Sequence, residues 1–365
     1  MFYSPASAAL VYTHPTPLCT SQGRLSSWQI PIKDGTDVAG MPTSHGNPSR
    51  KVIAEKHSPI VAALLESGAS IPGKSLTAEL GATCYAEESH SPVLESPIFP
   101  GCTPGGSSAG AGVLVGSGLY RAAHGTDAGG SLRVPAAACG AVGYKPGTRA
   151  AVAHGFITRS VSDQFELYGH RPTPVRRLRI GVLIDGLFAT TTVSSSRGDA
   201  LDAAARELGK HHEVVPLRPY ADAQETFEHF KHRITHSFCN VEPLENSYLA
   251  WMREQGNTVS PESLHNAHDH FRQLLGHVQH EWDVDIVLSP TIAFDPPTIG
   301  YFSSLTPEES FYQQTVWTPW CTLFNVMGSP AVAVGALHLG SVTVGGRALL
   351  SVARTVEHLG LPGAF

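Results

Sequence analysis

Apolar residues run along this chain in short blocks, and the spacing inside each block predicts its conformation. Residues 58–70 (SPIVAALLESGAS) are rich in helix formers and close on Gly68, which suits a helix C-cap. Residues 199–210 (DALDAAARELGK) show helical spacing, and helices are expected to fill much of 222–280. Shorter, β-rich blocks predict strands at 177–186, 212–217 and 283–291, a short strand within 119–127, and a strand running into a glycine turn over 28–42. SSAGAGVLVGSG (107–118) is small and apolar, the composition of a tightly packed helix. Residues 86–106 read as loop and 1–27 as irregular. Alternating strands and helices argue an α/β fold with a largely buried sheet. No composition break marks a boundary, so one domain is expected over 28–365.

Composition narrows the classes. The chain has 365 residues, 42% hydrophobic, and a net charge of −6. That is enough for a large core, and it offers no basic surface for nucleic acid. Cys19, Cys84, Cys102, Cys139, Cys239 and Cys321 lie far apart with no Cys-x-x-Cys pair, which argues against a disulfide framework or a zinc knuckle. The N-terminal stretch has no basic start and no apolar run of membrane-spanning length, so a cytoplasmic location away from membranes is expected.

Several motifs compete for the chemistry. GASIPGKS (68–75) spells a phosphate-binding loop, but a helix precedes it and Pro72 removes an amide. The segment reads better as a helix end turning into a strand near Ile71–Lys74. Gly106-Ser107-Ser108-Ala109-Gly110 matches G-x-S-x-G, and Ser108, Asp285 and His358 would complete a Ser-Asp-His order, yet a proline-broken loop stands where the strand is needed. His229, His232 and His236 could share a helix face, as could His265 and His268. Without a third ligand these read as solvated faces, and no metal is expected. Three further segments stand in order: IPIKDG (30–35), PGGSSAG (104–110) and GTDAGGSLRVPA (125–136). A serine in a Gly-Gly-Ser turn has backbone amides crowded around its hydroxyl, a ready oxyanion hole, and a buried lysine could serve as its base.

These segments resemble the amidase signature hydrolases. Ser107 and Ser131 are 24 residues apart, the family's spacing, and PGKSLTAELGAT (72–83), HGFITRSVSD (154–163), DIVLSPT (285–291) and FNVMGSPAVAV (324–334) resemble further family segments. The resemblance covers about residues 28–335. It implies a mixed, twisted β-sheet core covered by α-helices and a Ser-cisSer-Lys triad. Ser131 would be the nucleophile, Ser107 the relay on a cis peptide bond, and Lys33 the base. Backbone amides of Ala128, Gly129, Gly130 and Ser131 would form the oxyanion hole. Ser108, Asp127 and Arg133 would support the site, with Ser108 bonding inside the triad network. Thr83, Cys84 and Tyr85 would line the acyl pocket.

The implied activity is hydrolysis of a small-molecule amide without cofactors, with a homodimer the expected assembly. The alternatives are an inactive paralogue acting as a binding protein and a glutamine-dependent amidotransferase subunit. The chain departs from the family pattern at Gly35, where asparagine is usual, and in a compressed stretch between YKPG (144–147) and RLRIGVL (177–183).

Overall fold

The computed structural model describes residues 5–88 and 90–361. From the N-terminus come β1 (Leu10–Leu18), β2 (Ile32–Lys33), β3 (Pro42–Thr43), β4 (Val52–Ile53), α1 (Pro59–Glu66), β5 (Ile71–Ser75), α2 (Ala109–Gly116), β6 (Ala122–Asp127), α3 (Arg133–Ala138), β7 (Val142–Lys145), β8 (Ala153–Thr158) and α4 (Val161–Leu167). There follow β9 (Arg179–Val182), α5 (Ser195–Leu208), β10 (Glu213–Pro216), α6 (Ala223–His236), α7 (Ser247–Thr258), α8 (Pro261–Trp282) and β11 (Ile286–Pro290). The chain closes with α9 (Pro307–Trp317), α10 (Leu323–Val326), β12 (Ala331–Val334), β13 (Leu337–Ser341), α11 (Gly346–Thr355) and α12 (Glu357–Gly360).

The main sheet has eight strands in the order β10-β9-β11-β13-β12-β7-β8-β6. Only β9 pairs in parallel, with β10 and with β11, so the sheet is mixed. Side chains of one strand point alternately to two cores. Ile286 and Leu288 pack with α4, α5 and α11, while Val287 packs with α6, α8 and α10. Helices thus cover both faces, as expected for α/β architecture.

A smaller sheet, ordered β1-β5-β2, lies beside the β6 edge of the main sheet; the His124 amide donates to the Pro31 carbonyl at 2.9 Å. Residues 10–18 are a strand, not the irregular segment expected. Pro15 and Pro17 hide it in the sequence, and both are tolerated because β1 is an edge strand with a register break between Thr13 and Leu18. Residues 1–4 of that segment lie outside the described residues.

The small-residue helix α2 is wedged between the two sheets. A Cβ on Gly110 would lie 2.4 Å from the Leu76 nitrogen, and one on Gly116 would lie 2.3 Å from the Cys139 carbonyl oxygen. Only glycine permits this approach, and it sets Ser107 and Ser108, just ahead of α2, next to β5 and β6. Among the described residues no helix is long and apolar enough to cross a membrane.

Candidate active site

Lys33 ends β2 in register with Ser75 of β5. It is buried, with Nζ 2.7 Å from Ser107 Oγ and 2.9 Å from Thr126 Oγ1. No carboxylate among the described residues lies within ion-pair distance of it. Burial therefore dominates and lowers its pKa from 10.5 to about 7, against a raising pull from the Asp127 charge. The neighbouring lysine of GASIPGKS behaves differently. Lys74 is a buried β5 residue bonded to the Pro42 carbonyl at 3.0 Å and Thr43 Oγ1 at 3.1 Å, with Asp34 at 3.8 Å. No phosphate-binding turn exists there; the segment is the strand its context predicts.

The peptide bond between Gly106 and Ser107 is cis. Gly106 lies against the Cys84–Tyr85 backbone, where a Cβ would come within 2.8 Å of the Tyr85 nitrogen. Ser107 is buried, whereas Ser131 is half-buried and lines a cleft shared with Gly106. The Ser108 amide donates to the Ser131 carbonyl at 3.3 Å, which ties together the two loops carrying the serines. The structure thus joins Lys33 to Ser107 directly. The Ser131 hydroxyl has no hydrogen-bond partner among the described residues.

The loop after β6 is held by a buried polar network. Asp127 accepts from the Gly130 amide (2.8 Å), the Leu132 amide (3.1 Å), Arg133 Nε (3.0 Å) and Asn325 Nδ2 (2.8 Å). Burial opposes its charge, but the Arg133 guanidinium and these bonds hold its carboxyl well below the usual range. Arg133, fully buried, also donates to the Cys321 carbonyl at 2.8 Å and Asn325 Oδ1 at 2.6 Å. One expectation changes here. The Gly130 amide already donates to Asp127, so it is not a free oxyanion donor. The amides of Ala128, Gly129 and Ser131 have no partner among the described residues. Ser108 also differs from expectation. Its hydroxyl donates to the Thr126 carbonyl at 3.3 Å and accepts from the Thr126 amide at 3.4 Å, so it braces the strand rather than bonding to Lys33, Ser107 or Ser131.

The cleft holds about 100 Å³. Thr83 and Cys84 line it, but Tyr85 turns into an adjoining chamber of about 760 Å³, where its ring stacks on Phe302 at 5.2 Å. The opposite wall comes from Phe227, Phe230, Tyr248, Met252, Phe311 and Gln314, none of which the sequence singled out. Phe230 lies over the loop after β6, 3.3 Å from where a Gly129 Cβ would be. Thr126 was missed too, although it sits inside the GTD motif. The rival Ser108, Asp285, His358 set is not assembled: Asp285 accepts from the Arg179 amide and from Thr343, and Ser108 bonds to Thr126.

Known proteins share parts of this sequence and its fold. The Amidase family model matches residues 19–166. The putative amidase AmiC of Mycobacterium tuberculosis is 26% identical over 83% of this chain and 73% of its own. In sequence and fold the chain resembles the amidase signature hydrolases. It is a hydrolase of carbon–nitrogen bonds in amides. Its fold is shared with 6-aminohexanoate cyclic dimer hydrolase (TM-score 0.81, 22% identity, 93% of this chain and 86% of that one). It is likewise shared with a glutamyl-tRNA(Gln) amidotransferase component of Thermotoga maritima (TM-score 0.76, 19% identity, 96% and 87% coverage).

Proposed function

We propose that this amidase hydrolyses small, uncharged amides bearing an apolar acyl group, through Ser131, Ser107 and Lys33. The observation that carries the mechanism is the 2.7 Å contact of Lys33 Nζ with Ser107 Oγ, made by an amine whose pKa burial brings to about 7. A neutral amine at that position accepts the Ser107 proton as Ser107 takes the proton of Ser131. The Ser131 oxygen then adds to the substrate carbonyl. Amides of Ala128, Gly129 and Ser131 stabilise the developing oxyanion. The proton returns along Ser107 to the leaving amine, and the carbon–nitrogen bond breaks to leave an acyl-enzyme. Water, activated by the same pair, releases the acid. Asp127 and Arg133 position the loop and touch no reacting atom.

Substrate class is read from the cleft. Its lining residues carry aromatic, aliphatic and hydroxyl groups, the Cys84 thiol and the Gln314 carboxamide, and no charged side chain. Glutamine brings an ammonium and a carboxylate, which such a wall leaves unpaired at a cost of several kcal/mol. The cleft therefore favours the amidase over the amidotransferase reading. The dispersed free cysteines support action in the cytoplasm. The test compares kcat/KM for an arylalkyl primary amide with that for glutamine. The arylalkyl amide is expected to exceed glutamine by at least about 100-fold, as two unpaired charges imply. Equal or greater glutamine turnover would refute the assignment.

A further inference from the structure

Three groups on the outer side of the cleft wall meet without serving the reaction. Glu225 and His229 lie four residues apart on α6, so they share a face. His229 Nε2 stands 3.4 Å from Glu225 Oε1. His270, from the middle of α8, brings its ring to 4.8 Å from the His229 ring, centroid to centroid. Ligand atoms of all three residues lie within 4.8 Å of one another. Two imidazoles and a carboxylate are a donor set that suits zinc and its neighbours. Ligands at about 2.1 Å from a tetrahedral ion stand roughly 3.4 Å apart, the spacing Glu225 and His229 already have. A small turn of the His270 ring would complete the set, and water would fill the remaining position.

The surrounding hydrogen bonds pre-set one ligand. Thr226 Oγ1 lies 3.1 Å from the Asp222 carbonyl and 2.7 Å from His270 Nε2; when it donates to the carbonyl, it accepts from Nε2. In that arrangement Nε2 of His270 carries the proton and Nδ1 keeps its lone pair. A second partner that fixes the tautomer in this way is the usual support of a metal-bound histidine. Thr226 is fully buried, so the brace is sheltered from water.

We propose that Glu225, His229 and His270 bind one divalent transition-metal cation of the zinc class, clamping α6 to α8. The catalytic reading above is not needed for this site. The two features share a helix, however. Phe227, Phe230 and Ile234 line the cleft, and Phe227 lies two residues, about 200° of helix rotation, from both Glu225 and His229. A cation on one face thus holds the element whose other face forms the cleft wall.

The test uses the tag-free full chain stripped of metal. Co²⁺ serves as a spectroscopic probe and Zn²⁺ is followed by calorimetry. The wild type is expected to bind one ion with tetrahedral Co²⁺ absorption and a rise in melting temperature with Zn²⁺. His270→Gln and His229→Gln should abolish the Co²⁺ bands, while His265→Gln, on the solvent side of α8, should leave them unchanged. Thr226→Val, which keeps the shape and removes the brace, should weaken Zn²⁺ binding about 10- to 100-fold. Circular dichroism of each variant checks folding. Absence of stoichiometric binding in the wild type, or Co²⁺ bands that survive in both folded ligand variants, would overturn the assignment.

Discussion

The two walls of the cleft are made of different material. The wall from β2, the 106–108 turn and the loop after β6 is built of backbone and buried polar groups, and its positions are fixed by bonds such as Asp127 to Arg133 and Lys33 to Ser107. The wall from α6, α7 and α9 is built of side chains, with Phe227, Phe230, Tyr248, Met252 and Phe311 held by packing. Hydrogen-bond networks define one geometry and fail when a partner is lost. Packed aromatics tolerate exchange and change the shape of the space they leave. On the proposed mechanism, chemistry belongs to the first wall and selectivity to the second.

The strongest way to break this contrast is at the serine proposed as nucleophile. Ser131→Ala is expected to lower kcat at least about 10⁴-fold on an arylalkyl amide while leaving the melting temperature close to wild type, measured by steady-state kinetics and calorimetry. A loss below tenfold would remove Ser131 from the chemistry. Next comes the network behind it. Asp127→Ala strands the buried Arg133 charge and should cost about 3–5 kcal/mol in urea unfolding, with activity falling as the loop loses its support. Because the Asp127 carboxyl is held below its usual pKa, the stability it contributes is present above the unfolded-state value near pH 4 and declines as acid protonates it. The smallest effect is expected on the packed wall. Phe230→Ala should reduce kcat/KM for the arylalkyl amide by about 10- to 100-fold, mainly through KM, and narrow the preference over a small amide. A pure kcat loss would place Phe230 with the chemistry and erase the contrast.

The same division explains what could be read from the chain. The polar wall comes from local motifs, because Gly-Gly-Ser turns and the Asp-x-x-x-x-x-Arg spacing at 127–133 impose their geometry over a few residues. Lys33, Ser107, Ser131, Asp127 and Arg133 were named through the family resemblance that such motifs carry. Helix α1, strand β5 and strand β11 were legible for the same reason, since their patterns are local. The packed wall was not. Phe230 meets Gly129 across 101 positions, and nothing in its helical spacing distinguishes it from a core phenylalanine. His270 escaped notice as a partner of His229 because only the pairing of α6 with α8 brings them together. The Gly130 amide was misassigned because its competition for Asp127 is visible only in three dimensions. Strand β1 was concealed by its own prolines, which an edge position excuses.

The central claim is that a neutral, buried Lys33 activates Ser131 through Ser107. It is tested most directly by the pH dependence of fluorophosphonate labelling, with the adduct located by peptide mass spectrometry. Lys33 is protonated below about pH 7 and neutral above it, so the labelling rate at Ser131 should rise through a single ionisation near pH 7 and level off in mild alkali. Lys33→Ala should abolish that rise and nearly all labelling. Labelling on another serine, or an unchanged pH profile in folded Lys33→Ala protein, would contradict the account.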